Sequence, residues 1–234
     1  MTTIVQNHLT QPDLEKEKIF KEMAEAKVCF GHSTSRLHPR MKPFIVGVKN
    51  NQTIINLEKT YENLIKAKEF FGSLKKEGKT VLFVNTNPAN NDITEAAAIK
   101  TNNPYIINRW IGGFLTNFAV ISKRIAYFNE LEKKKENGEL EKYTKKEQLK
   151  FEKELEDLRE LFSGVKNCQK LPDAIFVIDA KIHQYAVKEA QHLELPIIAL
   201  VNTDNDPTGI TYPIPASDLH RSSVEFITNF IIND

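Results

Sequence analysis

The 234 residues are 41% hydrophobic and 27% charged, enough apolar material for a sizeable core and too much for a chain kept unfolded by its polarity. No apolar run approaches the roughly 20 residues that cross a bilayer, and Cys29 and Cys168 stand in no CxxC pair, which excludes a disulfide framework and a four-cysteine zinc site. The net charge of +1 hides an uneven distribution: residues 1 to 129 carry 18 basic and 11 acidic side chains, 130 to 160 carry 9 and 11, and 161 to 234 carry 5 and 9.

The amino-terminal MTTIVQNHLTQPDLEKEK has neither a secretory apolar core nor an Arg-rich transit pattern, so the cytoplasm is the expected compartment. Leu14, Ile19, Met23 and Ala26 recur at helical spacing and predict a helix over 14 to 28, capped by Asp13 after Pro12. The following CFGHSTSRLHPRMKP reads as a loop, and the apolar runs Phe44 to Val48 and Thr53 to Asn56 around Asn50-Asn51 read as a β-hairpin. Tyr61, Leu64, Ile65, Ala67, Phe70, Phe71 and Leu74 predict a helix over 58 to 76 that Gly78 terminates.

The apolar TVLFVNT (80 to 86) is then a strand, followed by a helix over 90 to 100, a strand over 105 to 108, and a helix beginning near Gly113. Strands at 174 to 180 and 197 to 202 alternate with helices at 182 to 193 and 218 to 232. Short apolar strands alternating with amphipathic helices predict a doubly wound α/β domain, because parallel strands need crossover helices and are buried on both faces.

Residues 117 to 165 break the alternation. Phe118, Ile121, Ile125, Phe128 and then Phe151, Leu155, Leu158, Phe162 recur at threes and fours around the polar KKKENGELEKYTKKE, predicting two long helices that meet at Asn137-Gly138 and project as an antiparallel coiled-coil pair. The chain therefore divides into residues 1 to 116, holding the opening helix, the loop and hairpin and the first part of the α/β domain, 117 to 165 as the coiled-coil protrusion, and 166 to 234 as the second part of the α/β domain. The mixed charges of the protrusion read as a solvated face, with Lys133 to Lys135 at its tip.

Two windows lack acid altogether. From Ala26 to Leu57 the charged residues are Lys27, Arg36, Arg40, Lys42 and Lys49, with His32 and His38 among them; between Glu95 and Glu130 they are Lys100, Arg109, Lys123 and Arg124. Such segments attract a polyanion and make affinity fall with salt. Within the second window, Arg109, Trp110 and Gly112-Gly113 bring together a guanidinium that forks onto phosphate, an indole that either stacks on a base or packs at a corner, and backbone that lets another chain approach.

FGHST (30 to 34), HPRMKPFIVGVKN (38 to 50), IINLEKT (54 to 60), NRWIGGFLTN (108 to 117), LPDAIFVID (171 to 179) and LPIIALVNTDNDPTGITYPIPASD (195 to 218) together resemble the bacterial-type small-subunit ribosomal protein S-two family in content, order and spacing. The resemblance implies a Rossmann-like (flavodoxin-like) doubly wound sheet with a protruding antiparallel two-helix coiled coil, a structural role without turnover, and no cofactor, metal, membrane or small-molecule substrate. It implies binding to small-subunit ribosomal RNA between head and body, support of translation and subunit assembly, and contact with neighbouring small-subunit proteins, including the large protein that recruits messenger RNA. On that reading the RNA contacts chosen by charge and window are Arg36, Arg40, Lys42, Lys49, Arg109, Lys123 and Arg124, joined by His38 and Trp110.

The chain departs from the family pattern where VNTNPAN (84 to 90) replaces a Gly-Thr-Lys with a further basic residue, where Asn202 replaces an Asp before Thr203, and where it stops at Asp234 without a polar tail. A rival reading places Mg²⁺ and phosphoryl chemistry on Asp179, Asp204 and Asp206, at or just after strand ends, where doubly wound sheets bind ligands. No GxGxxG, GxxxxGK[ST] or GxSxG accompanies them, and the same aspartates serve as turn and helix caps.

Overall fold

The computed structural model describes residues 11–233; the reading of the first ten residues as free of a leader pattern falls outside them. The opening helix α1 (Gln11–Glu25) starts ahead of Asp13, so Asp13 lies inside it rather than at its cap. A small antiparallel sheet follows, made of β1 (Phe30–Ser33), β2 (Ile45–Lys49) and β3 (Gln52–Ile55) in the order β1-β3-β2. The hairpin turn has both Asn50 (φ 50°) and Asn51 (φ 62°) in the left-handed region, which suits asparagine and the right-handed twist of the two strands. The first strand of this sheet does not stand out in the sequence, because FGHS lacks an apolar run and is held by pairing to β3.

Asn56 caps α2 (Leu57–Lys76) by accepting from the backbone N–H groups of Glu58 and Lys59, and Gly78 (φ 65°) closes its far end as the sequence predicts. The main sheet contains β4 (Val81–Val84), β5 (Tyr105–Ile106), β6 (Ala174–Val177), β7 (Ile197–Val201) and β8 (Tyr212–Pro215). Its order is β5-β4-β6-β7-β8 with every pairing parallel. Counted from β4 this is the 2-1-3-4-5 order, consistent with a Rossmann-like fold. Alternate strand residues divide between two cores: Val81 and Phe83 face α2, α3 (Asn91–Lys100) and α7 (Arg221–Ile232), whereas Leu82 and Val84 face the helices of the other layer.

The strand β8 is absent from the sequence reading because Pro213 and Pro215 mimic a turn. It pairs on one side alone, with β7, so the missing proline N–H groups cost no ladder bond. Two helix starts also shift. The helix expected near Gly113 begins at Phe118, and the one expected at Asp218 begins at Arg221.

The insertion between β5 and β6 is α4 (Phe118–Glu136) and α5 (Lys145–Phe162), connected through Gly138 (φ 72°) and a 3-10 turn, Glu139–Lys142. Thr144 and Glu147 form a reciprocal capping box that starts α5. The two helices run antiparallel, since Arg159 meets Glu132 at 3.1 Å and Lys135 meets Glu152 at 3.6 Å. Their apolar stripes, Ile121, Ile125, Phe128 and Leu131 against Leu155, Leu158 and Phe162, are continuous with the core on the second face of the sheet. That face also carries α6 (Gln184–His192).

Candidate nucleic-acid interface

Motifs scattered along the chain converge on Thr203, just past β7. Its hydroxyl accepts from the backbone N–H of His32 at 2.9 Å and lies 3.0 Å from the Thr53 hydroxyl, while its carbonyl accepts from the backbone N–H of His38 at 2.9 Å. Thr53 Oγ1 donates to the carbonyl of His32 at 2.7 Å. A Cβ on Gly31 would stand 2.3 Å from Thr53 Oγ1 and 2.5 Å from Thr203 Cγ2, which is why this position is glycine. The small sheet is thereby fixed to the carboxyl end of the large one.

This anchoring presents the first positive segment. Leu37, Met41 and Phe44 point into the core, and the intervening Arg36, Arg40 and Lys42 stand exposed on the 3-10 turns Thr34–Arg36 and Pro39–Phe44. Lys49 is exposed at the end of β2, beside the uncovered Val46 and Val48. His38 is half-buried with no hydrogen-bond partner for Nδ1. Arg40 pairs with Asp206, a contact the sequence did not predict, and both side chains remain about half exposed.

In the second segment Arg109, Lys123 and Arg124 are exposed, the latter two on the first turns of α4, with the Arg124 guanidinium 6.0 Å from the Tyr127 ring centroid. Trp110 packs against the core beside Phe114 at a centroid distance of 5.7 Å. Its indole N–H donates to Glu189 Oε1 at 3.0 Å. The same carboxylate accepts from the backbone N–H groups of Gly113 (2.8 Å), Leu115 (3.0 Å) and Thr116 (3.2 Å) and from the Thr116 hydroxyl (3.3 Å). Partial burial acts to raise the Glu189 pKa, but these donors outweigh it and hold the carboxyl below its ordinary value. The helix start is delayed because Gly113 is left-handed at φ 81°, a conformation that does not open a right-handed helix.

The positive segments are tied to one helix. Gln191 of α6 donates from Nε2 to the carbonyl of Thr208, whose hydroxyl lies 2.5 Å from Arg40, while Glu189 of α6 holds the Trp110 loop. Glu189 was invisible as a site residue, since nothing in its own neighbourhood marks it.

The acidic group at the carboxyl ends of the strands is differently occupied. His32 Nε2 lies 3.4 Å from Asp204 and 3.5 Å from Asp218, and the ligand atoms of these three residues lie within 4.8 Å of one another, a spacing that a cation could bridge. Here the carboxylates face protein cations and donors instead: Lys181 reaches Asp204 at 2.6 Å and the Asn202 amide reaches Asp218 at 2.5 Å. Hydrogen bonding to Asp218 raises the His32 pKa against the opposing effect of burial. Asp179, at φ 66°, accepts from the backbone N–H groups of Lys181 and Ile182; burial, then the nearby Asp218 charge, pushes its pKa up to about 6. Asp206 is turned to Arg40 and to the backbone N–H of Thr208.

At the topological switch point between β4 and β6, the buried His183 fills the crevice in which such sheets hold nucleotides. Its Nε2 accepts from the backbone N–H of Thr86 at 2.8 Å and its Nδ1 faces the carbonyl of Asp179 at 2.8 Å, the pattern of a neutral ring whose pKa burial lowers. A cleft of about 710 Å³ lined by Thr80, Tyr105, Gly164 and Cys168 lies at the opposite, amino ends of β4 and β5.

Comparison with known proteins matches residues 23–233 to the ribosomal protein S2 family profile. The small ribosomal subunit protein uS2 of Coprothermobacter proteolyticus is 44% identical over 211 residues, covering 90% of this chain and 79% of its own. That of Dictyoglomus thermophilum is 44% identical over 213 residues, covering 91% and 87%. That of Mesoplasma florum is 41% identical over 218 residues, covering 93% and 82%.

Proposed function

The chain belongs to the ribosomal protein S2 family, structural proteins of the small ribosomal subunit and not enzymes, and from that premise we propose that it binds small-subunit ribosomal RNA through its two acid-free segments. Its place is the ribosome of the cytoplasm, between the head and body of the small subunit, where it supports subunit assembly and translation. The observation that carries this reading is the pairing of exposed cations with buried anchors. Arg36, Arg40 and Lys42 alternate with Leu37, Met41 and Phe44, so the cations project from rigid turns rather than from a mobile tail. Preorganised cations meet phosphates with little further ordering cost. Lys49, Arg109, Lys123 and Arg124 extend the contact, with His38 at its margin; Trp110 takes part as the packed corner of its loop.

The α4–α5 pair, over residues 117 to 165, is the protrusion between the two parts of the body, residues 1 to 116 and 166 to 234. Its ion pairs, Lys134 with Glu130 and Lys135 with Glu152, fit a solvated coiled coil that meets neighbouring proteins, the large messenger-recruiting protein among them, rather than RNA along its length. No described helix is long and apolar enough to cross a membrane.

The test is the triple variant R36A/R40A/K42A, titrated onto small subunits stripped of this protein by high salt. The expected result is weaker binding with a salt slope shallower by about 2 to 3, each lost phosphate contact removing roughly 0.7–0.9. Unchanged affinity and slope in a folded variant would overturn the assignment.

A further inference from the structure

The acid-free window between Glu95 and Glu130 receives a carboxylate from elsewhere in the chain. Glu189, on α6, accepts from Trp110 Nε1, the backbone N–H groups of Gly113, Leu115 and Thr116, and the Thr116 hydroxyl, all between 2.8 and 3.3 Å. Its two oxygens divide the loop: Oε1 takes the Trp110 and Gly113 donors and Oε2 takes those of Leu115 and Thr116. Three backbone N–H groups within four residues, pointing at one anion, make a preformed concavity that no neutral side chain fills equally well.

What the carboxylate holds is flanked by cations on both sides. Arg109 immediately precedes Trp110, and α4, which begins where the clamped turn ends, carries Lys123 and Arg124. We infer that Glu189 is the positioning residue of the RNA-facing Arg109 loop: it fixes the path from Trp110 to Thr116 and thereby the direction of Arg109 and the start of α4. This rests on the RNA-binding reading given above. Trp110 is part of the device rather than a base-stacking platform, since its N–H is committed and its ring lies against Phe114. A glutamine at 189 would offer an oxygen to one set of donors and present its own N–H groups to the other, so the loop would be partly released.

The experiment compares wild type, E189A, E189Q, R109A and R109A/E189A by titration onto salt-stripped small subunits at several salt concentrations, alongside the fluorescence of Trp110, the single tryptophan of the chain. Expected for E189A are a red-shifted Trp110 emission and an affinity loss on the order of tenfold, matching R109A, with the salt slope shallower by about 1. E189Q should fall between E189A and wild type, and the double variant should be no weaker than the weaker single one. A stabilising role alone would lower the unfolding temperature without changing the salt slope. Should E189A bind with wild-type affinity and slope while R109A loses both, the positioning role is overturned and the RNA reading stands. If R109A also binds as wild type, Arg109 is not an RNA contact and the positioning inference falls, while the Arg36 to Lys42 face is judged by its own triple variant. An unshifted Trp110 emission in E189A and E189Q would likewise overturn the inference, and E189Q supplies the result if E189A does not fold.

Discussion

The Arg40 guanidinium donates to Asp206 Oδ2 at 2.8 Å, joining residues 166 positions apart in the chain. With about half of each side chain open to solvent, such a pair contributes about 0–1 kcal/mol, so its use lies in aim rather than in stability. Partial burial acts to raise the Asp206 pKa, and hydrogen bonds from Thr208 and Arg40 overcome it and keep the carboxylate ionised as a removable guide for the cation.

D206N therefore leaves unfolding free energy within about 1 kcal/mol of wild type and lowers subunit affinity only about two- to threefold as Arg40 loses its guide, whereas R40A weakens binding further and flattens its salt dependence. Chemical denaturation and titration onto stripped subunits check both. Loss of binding in D206N with retention in R40A would contradict the assignment of the face.

The carboxylate cluster behind this face gives a pH signature. Hydrogen bonding to Asp218 holds the His32 pKa above 6.5, so its stabilisation is fully present below that value and is lost as pH rises through the folded pKa. Asp179 moves from 3.8 to about 6, so between those values the unfolded chain ionises while the folded carboxyl stays protonated, and its contribution falls as pH rises through that window and is level above it. The cluster's contribution therefore falls in two windows, from about pH 4 to about 6 through Asp179 and above 6.5 through His32. D179N keeps the left-handed turn and the oxygen acceptor, and it should raise stability by about 1–3 kcal/mol near pH 8 and by little near pH 4. H32Q should lower stability more near pH 5 than near pH 8. Thermal unfolding across that range decides, and the opposite order in either variant would refute the coupling.

Gly31 gives a packing prediction. A methyl group there meets Thr53 Oγ1 at 2.3 Å and Thr203 Cγ2 at 2.5 Å, atoms of two buried threonines with no room to retreat. G31A should destabilise the fold by about 2–4 kcal/mol and loosen the Arg36 to Lys42 segment, read as protease sensitivity between residues 34 and 44. A variant as stable and as resistant as wild type would show that the small sheet is not clamped at Thr203.

The alternation of β4, α3, β6, α6, β7 and α7 was legible because buried parallel strands are apolar runs and their crossover helices are amphipathic. Ile121 through Phe162 announced the helical pair by spacing alone. Residues whose role depends on a distant partner were not legible. The strand at Phe30 exists through pairing with β3, and Pro213 and Pro215 disguise a strand that tolerates them only as an edge. The charge windows located Arg36, Arg40 and Arg109, while the contacts that aim these segments come from Asp206, Thr203 and Glu189, which lie 73 to 171 positions from the residues they hold and carry no local mark.

The thiols supply a check on burial. Desolvation pushes Cys168 up to about 11 and raises Cys29 above 9.0, so neither is an activated nucleophile. In the folded protein near pH 7 Cys168 should react with a disulfide reagent at least tenfold more slowly than a free cysteine and Cys29 more slowly than a free cysteine, both at the ordinary rate in denaturant. Fast reaction of Cys168 in the folded state would contradict the desolvation that raises its pKa.

The measurement that bears most directly on the central claim is sedimentation of the tagged full chain from cell lysate through sucrose gradients at moderate and then high salt, followed by blot. Co-migration with the small ribosomal subunit that weakens as salt rises, and that R36A/R40A/K42A loses at lower salt than wild type, is the predicted result. A chain that stays at the top of the gradient at moderate salt would contradict it.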